Sequence, residues 1–251
     1  MNIDLTGQRA LVTGASRGIG KAIAAALAAS GARVVAHYRE GRAGAEDAIR
    51  GAAGCAAIAA DLSDARACEE LVAQAAAAMG GLDLLVNNAG VALDSPLDKP
   101  LHSWIEDWNT TMAVNLAAPA ILAREAAVRF RSAGGGRIVF IASRAAFRGD
   151  TPEYLAYASS KGGMVALARS IARGMGHEGV KSFVVAPGFT RTGMAEAFIA
   201  EYGEDYATRD MVLDRMTEPG DIAPLVVFLA SGLADHCTGA TIDVNAASYV
   251  R

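Results

Sequence analysis

Thr13-Gly14-Ala15-Ser16-Arg17-Gly18-Ile19-Gly20 stands between an apolar run at 9–13 and an alanine-rich run at 18–30. The first run reads as a strand and the second as a helix, so the octapeptide is a strand-to-helix turn. The pattern is T-G-x-x-x-G-x-G. The stricter G-x-G-x-x-G is absent, because Ile23 occupies the place of its third glycine. Glycines here permit a tight turn and let backbone N–H groups at the helix N-terminus approach a pyrophosphate. That makes Gly14, Ser16, Arg17, Gly18, Ile19 and Gly20 candidates for holding a dinucleotide. A glycine turn with no ligand is the competing reading.

Outward from this turn the same unit repeats. Strand-like runs at 9–13, 33–37, 56–60, 84–87, 137–142, 181–186 and 240–244 alternate with helical runs at 18–30, 43–51, 64–79, 113–131, 153–176 and 221–230. Several strand runs are apolar throughout, as strands buried on both faces of a parallel sheet are. The alternation predicts an α/β fold: a doubly wound, seven-stranded parallel sheet with helices on both faces. Ser63 is the expected N-cap of the third helix, and Gly31 and Gly80-Gly81 are expected helix stops. No linker marks a second domain, so residues 1–251 read as one dinucleotide-binding and catalytic unit. The long insertion at about 190–217 reads as a pair of short helices forming a substrate lid.

Composition narrows the function. The chain has 251 residues, of which 52% are hydrophobic and 20% charged, with 27 acidic against 23 basic side chains and a net charge of −4. That excludes a disordered chain, and without a basic block it argues against nucleic-acid binding. Alanine, at roughly a fifth of the chain, favours helices. Cys55, Cys68 and Cys237 are odd in number and lack CxxC spacing, while His37, His102, His177 and His236 are scattered. No metal site and no disulfide framework is expected. Residues 1–13 carry no secretory leader pattern, and no apolar run approaches the ~18 residues of a membrane span. A cytoplasmic location is therefore expected.

The nucleotide end extends beyond the glycine turn. The second strand runs into Tyr38-Arg39, where an NAD site ordinarily places an acid on the ribose hydroxyls. Arg39, together with Arg17 in the turn, suits a ribose 2′-phosphate instead. NADP(H) is thus favoured and NAD(H) remains possible, since Glu40 follows with opposite charge and both arginines can equally be solvated. Asp61-Leu62 closes the third strand, where the carboxylate can accept a hydrogen bond from an adenine amino group or simply begin the next helix. Asn87-Asn88-Ala89-Gly90 follows the fourth strand. Ala89 and Gly90 are small enough for a ligand to lie against the backbone, and the asparagines can tie loops together.

The chemistry is carried by Tyr157-Ala158-Ser159-Ser160-Lys161. Tyrosine and lysine at i and i+4 share a helix face. A phenol with a pKa near 10 is a poor catalyst at neutral pH, and a nearby ammonium favours its ionised form. An exposed Tyr-Lys pair is the alternative. Ser143 lies just past the fifth strand and can bond a substrate oxygen beside Tyr157, or serve as a helix cap.

In this order, Thr13-Gly14-x-x-x-Gly18-x-Gly20, Asp61, Asn87-Asn88-Ala89-Gly90, Asn115, Ser143, Tyr157-x-x-x-Lys161 and Pro187-Gly188-x-x-x-Thr192 resemble the short-chain dehydrogenase/reductase family, most of all its 3-oxoacyl-carrier-protein reductase-type members. The likeness runs from Leu5 to Val244. It implies a Rossmann sheet and a catalytic tetrad of Asn115, Ser143, Tyr157 and Lys161. It further implies that Pro187, Gly188, Thr190 and Thr192 close over a nicotinamide, and that hydride passes between cofactor and a carbonyl or secondary alcohol. It implies a homo-oligomer, most often a tetramer, with the helices at 113–131 and 153–176 paired between subunits. Asn115 in that pattern disturbs its helix and positions a water. A non-catalytic dinucleotide sensor is the alternative function, and an epimerase or dehydratase on the same fold is a third.

Some positions depart from the pattern. Ala246-Ala247 replaces a glycine pair after the last strand, where positive φ suits alanine poorly. Phe183 stands where asparagine is common. Gly134 and Glu178 replace two arginines that dock an acidic carrier protein, with Arg129 and Arg131 nearby. In the lid, Met194, Phe198, Tyr202, Tyr206 and Met211 are expected apolar substrate contacts or core, and Arg191, Glu201 and Arg209 polar ones. Arg144 and Arg148, just past Ser143, either meet an anionic substrate or face solvent.

Overall fold

Leu84-Leu85-Val86-Asn87 is buried at every position, and only a strand covered on both faces accommodates such a run. Six more strands complete the sheet: β1 (Arg9–Val12), β2 (Arg33–Tyr38), β3 (Ala56–Ala59), β5 (Gly136–Ile141), β6 (Val180–Pro187) and β7 (Thr241–Val244), with Leu84–Asn87 as β4. The computed structural model describes residues 2–203, 205 and 208–251, and at 194, 197, 198, 201 and 202 it describes the backbone alone. The order is β3-β2-β1-β4-β5-β6-β7, and every neighbouring pair is parallel. The order in which strands are added reverses between β1 and β4, which opens a crevice at the carboxyl ends of those strands. The expected doubly wound α/β sheet is the observed one.

Helices α1 (Gly18–Ala29), α2 (Arg42–Ala48) and α9 (Pro219–Ala230) cover one face. Helices α3 (Ala65–Met79), α5 (Ala118–Ser132) and α7 (Leu155–Met175) cover the other. The remaining helices are α4 (Leu101–Met112), α6 (Ala145–Arg148) and α8 (Gly193–Tyr202). The abundant alanine lets these helices lie close to the sheet: Ala24, Ala223 and Ala230 are buried on one side, and Ala75, Ala123, Ala126 and Ala168 on the other. Phe130, Phe140 and Phe183 are fully buried. Each such side chain contributes about 1.5–3 kcal/mol of apolar burial. Phe183 is therefore a core residue where a polar one was the precedent. Paired Arg9–Asp83 and Arg137–Asp235 contacts, each bidentate at 2.7–2.8 Å, tie β1 and β5 to neighbouring loops.

Several boundaries move. Asp64, not Ser63, caps α3: its carboxylate accepts from the Arg66 N–H at 2.9 Å, while the Ser63 hydroxyl turns back to Asp61. Gly80 does stop α3, at φ 73°. The helix expected at 113–131 is the second part of a longer one. It begins with α4 and passes through a π-helical turn at Ala113–Ala117 into α5. α4 escapes a periodicity reading because it buries only Thr111. In the lid region α8 is the first expected short helix, and a bridge from Thr190 to Thr217 closes the base of the insertion.

Candidate active site

The carboxyl ends of β1, β2 and β4 are locked together by hydrogen bonds. The Thr13 hydroxyl accepts from the backbone N–H of Asn88 at 2.9 Å and of Ala89 at 3.0 Å. Asn88 Nδ2 returns to the Thr13 carbonyl at 2.8 Å and the Gly14 carbonyl at 3.2 Å. Asn88 is thus the loop tie foreseen from sequence, whereas Asn87 is buried with its side-chain amide unpartnered among the described residues. From β2, His37 Nδ1 accepts the Gly14 N–H at 3.1 Å, and Nε2 lies 3.1 Å from the Ala60 carbonyl. That pairing requires a neutral imidazole with its proton on Nε2. Burial, the largest effect, holds the His37 pKa below its usual value. Sequence reasoning missed this role, although a polar residue inside an apolar strand was a visible signal.

Close approach explains two glycines. A Cβ on Gly20 would lie 2.3 Å from both Asn88 Nδ2 and the Gly14 carbonyl oxygen, and one on Gly14 would lie 2.9 Å from Ala89 Cα. The glycine turn is therefore packed shut against the β4 loop, with its helix end outward. No side chain caps the first turn of α1 and no acid sits in it, so its N–H donors remain for an anion. Ser16, Arg17, Gly18 and Ile19 ring that end, and Gly18 meets the Thr192 methyl group, where an added Cβ would stand 3.1 Å away. The residues present fit a dinucleotide pyrophosphate.

Farther along the same edge lie Tyr38, Arg39, Asp61 and Leu62. Tyr38 is half-buried against the core. Arg39 is exposed and pairs with Glu40 at 3.2 Å, with side-chain exposures of 61% and 83%. A pair this exposed contributes little and opens readily to a stronger anion. Asp61 is turned toward the Ser63 N–H and hydroxyl at 2.9 and 2.8 Å, which lowers its pKa. The Leu62 side chain is buried in the core beneath α3.

The other half of the crevice holds the reactive side chains. A cavity of about 470 Å³ opens between Ser143, Tyr157, Ile19, Pro187, Gly188 and Thr192. Ser143 shares the cavity wall with Tyr157, and its hydroxyl accepts the Ala145 N–H at 3.1 Å, so it is both a site group and a turn residue. Lys161 is 3% exposed; Nζ donates to the Ile141 carbonyl at 2.9 Å and lies 5.7 Å from the centre of the Tyr157 ring. Burial pulls the Lys161 pKa down to about 8. Burial pushes the Tyr157 phenol up, the Ser143 hydrogen bond opposes this, and the charge of Asp150 adds to it. The lowering of the phenol expected from Lys161 is not what sets its direction here; burial is.

Asn115 sits inside the π-helical turn and is fully buried. Its Oδ1 accepts the Val91 N–H and its Nδ2 donates to the Val91 carbonyl, both at 2.8 Å, with Ser160 Oγ at 3.1 Å. It clamps the loop after β4 to α7. Gly90 lies in this clamp, where an added Cβ would be 3.2 Å from Asn115 Oδ1 and 3.4 Å from Lys161 Nζ. On the far side Gly188 packs against Asn245, and Thr190 and Thr192 fix the base of the lid: the Thr190 hydroxyl donates to the Gly188 carbonyl at 3.1 Å, and Thr192 caps α8.

From the lid, Thr190, Thr192 and Ala195 line the cavity and Met211 is not in its lining; Arg191 pairs with Glu218 at 3.0 Å, and Arg209 lies 3.8 Å from Asp210. The side chains of Met194, Phe198, Glu201 and Tyr202, and the whole of Tyr206, lie outside the described residues. Phe189, Asp94, Asp150 and Tyr154 also line the cavity and were not foreseen. Tyr154 carried a signal, three residues before Tyr157. Arg129 and Arg131, the cations nearest a carrier-docking position, are taken up by Glu125 and Glu178.

The chain matches the family model described as enoyl-(acyl carrier protein) reductase over residues 14–246. It is 36% identical over 251 residues to an L-rhamnose 1-dehydrogenase (NAD(P)(+)) of Azotobacter vinelandii, covering 96% of each chain. It is 33% identical over 246 residues to a 3-oxoacyl-[acyl-carrier-protein] reductase of Synechocystis sp., again covering 96% of each. A crystal structure from Agrobacterium tumefaciens, described as a 2-deoxy-d-gluconate 3-dehydrogenase with bound NADP, superposes with a TM-score of 0.89 at 32% identity, covering 100% of this chain and 99% of that one. Among the described residues no group of histidine, cysteine or carboxylate side chains is placed to hold a metal, and no helix is long and apolar enough to cross a membrane.

Proposed function

Because the chain belongs to the short-chain dehydrogenase/reductase family, and is a nicotinamide-dependent oxidoreductase of alcohol and carbonyl groups, we propose that Tyr157 is its acid-base catalyst, with Ser143, Lys161 and Asn115 in support. The observation that carries this reading is the meeting of Ser143 and Tyr157 on one cavity wall, with Lys161 behind the phenol. Gly14, Ser16, Arg17, Gly18, Ile19 and Gly20 would hold the pyrophosphate. Asp61 and the backbone at Leu62 would meet the adenine, Asn88, Ala89 and Gly90 the ribose side, and Pro187, Gly188, Thr190 and Thr192 the nicotinamide. When bound, the nicotinamide gives or takes the hydride at the reacting carbon.

The protein's own groups manage the proton. The Ser143 hydroxyl donates to the carbonyl oxygen and fixes its direction. The Tyr157 phenol, kept protonated by burial, gives its proton to that oxygen as alkoxide character develops. In the alcohol direction the phenolate takes the proton back. Lys161, one helical turn along α7 with its ammonium 5.7 Å from the centre of the Tyr157 ring, stabilises the phenolate through its charge. Asn115 holds the loop at Gly90 and Val91 in place beside Lys161.

NADP(H) is the preferred cofactor in this reading, through Arg39 and Arg17, with Tyr38 as the platform beside them. The chain works as one domain over residues 1–251 with a lid at about 190–217. It works in the cytoplasm, as an assembly of copies of itself, a tetramer. The test is a turnover assay over ketones and secondary alcohols with each cofactor. Tyr157→Phe is expected to lose at least ~1,000-fold in kcat with cofactor affinity nearly unchanged. Wild-type kcat/KM is expected to be at least ~10-fold higher with NADPH than with NADH. A fully active Tyr157→Phe enzyme sinks the catalytic assignment, and equal use of NADH sinks the preference.

A further inference from the structure

Arg144 follows Ser143 directly, and its backbone N–H is fixed to the Pro187 carbonyl at 2.9 Å. Its side chain lines the same cavity, yet the residue is only 5% exposed. Its Nη1 is completely buried and has no hydrogen-bond partner among the described residues. Asp210 and Asp150 act on it through space only, and Arg148 and Arg209 add charge of the same sign. Arg148 lines the cavity too and leans toward Asp210, at 3.7 Å. Asp94 and Asp150 share the wall with Arg144 without forming an ion pair to it. A guanidinium stays protonated even in such surroundings, so burying one unpaired is costly until an anion meets it.

Geometry restricts what that anion can be. The Phe189 ring is stacked on the guanidinium, with its centre 5.1 Å from Cζ, and this covers one face. The edge of the fork, with its parallel N–H groups, is what remains, and a planar carboxylate matches it in two hydrogen bonds. Because Arg144 is the neighbour of the serine that orients the reacting oxygen, the carboxylate has to sit a few bonds from the reacting carbon.

We propose that Arg144 selects substrates bearing a carboxylate close to the reacting carbonyl or hydroxyl, making this an oxidoreductase of short oxo acids and hydroxy acids. This rests on the assignment of Ser143 and Tyr157 to the reacting oxygen. Neutral ketones and bulky thioesters lack the group that would neutralise Arg144.

The experiment compares matched probes on the NADPH-loaded enzyme: acetoacetate against methyl acetoacetate, levulinate against methyl levulinate, and dihydroxyacetone phosphate against dihydroxyacetone. The expected result is a kcat/KM about 100-fold higher for each acid than for its ester, with Arg144→Gln collapsing that ratio to near unity and Arg144→Lys restoring part of it. A wild-type enzyme that treats acids and esters alike overturns the proposal. So does a ratio unchanged in Arg144→Gln, and so does a stronger preference for the phosphate pair. A second readout needs no turnover. Malonate is expected to raise the Tm of NADPH-loaded wild type and of Tyr157→Phe, but not of Arg144→Gln. No shift in the first two rejects the anion site. Failure to turn over any probe, with the malonate shift intact, instead rejects the catalytic assignment and leaves Arg144 standing.

Discussion

Ala246 and Ala247 hold φ of 51° and 53°, in the left-handed region where a Cβ crowds the backbone. They are the two non-glycine residues at positive φ among those described, and they stand where the family resemblance places glycines. The strain is held in place by its neighbours: the Ala246 carbonyl accepts the Val212 N–H at 3.0 Å, and Asn245 packs on Gly188. Relief of the clash minus the extra chain entropy of glycine leaves a gain of about 0.5–1 kcal/mol per site. Ala246→Gly and Ala247→Gly are each expected to raise Tm by about 1–4 °C in a calorimetric scan. A fall in Tm would show the turn to be unstrained. The sequence showed the mismatch and pointed to an altered turn, whereas the structure keeps both alanines at positive φ.

At the scale of an element, the first strand, the glycine turn and the second strand depend on one imidazole. His37 accepts from Gly14 with Nδ1 and donates to Ala60 with Nε2, so adding a proton at Nδ1 removes the first bond and buries a charge. Burial lowers its folded-state pKa below the ordinary 6.5. Below pH 6.5 the unfolded chain therefore binds more protons than the folded one, and stability falls as the pH drops toward the folded pKa. Above pH 6.5 the contribution is constant. His37→Gln offers an acceptor and a donor that do not titrate. Thermal unfolding between pH 7.5 and pH 5 is expected to show a shallower loss in this variant than in wild type, and equal slopes would remove His37 from the account. The π-helical turn is the matching case in the helices. Its purpose, turning Asn115 onto Val91, is invisible in a local pattern, because the partner lies 24 residues away. The family resemblance pointed to a disturbed helix at Asn115, not to this partner.

At the scale of the molecule, α4, α5 and α7 leave Leu101, Ile105, Val128 and Leu155 exposed, Leu101 by 71%. Of these, α5 and α7 are the helices through which the proposed assembly would pack, with α4 running through the π-helical turn into α5, and apolar side chains there find cover in a second copy. Light scattering is expected to give a mass four times that of the chain, and a monomer would contradict the assembly. The parallel sheet, both helical layers and the edge that carries the site followed from the sequence, because alternating strand and helix periods leave a right-handed crossover little choice; the strand order itself was supplied by the structure. The glycine turn, Ser143 and the Tyr157–Lys161 pair were legible as spacings, because residues at i and i+4, or at a strand end, are placed by local geometry; Asn115 was reached only through the family resemblance. The lid contacts and the use of Arg144 were not legible. The sequence by itself determined which residues reach the carboxyl edge of the sheet. Only the tertiary structure decided that Arg191 turns to Glu218, that Phe189 stacks on Arg144, and that Arg144 Nη1 is enclosed without a hydrogen-bond partner among the described residues. Burial and charge pairing arise from segments distant in the chain, and their energies exist only once those segments meet.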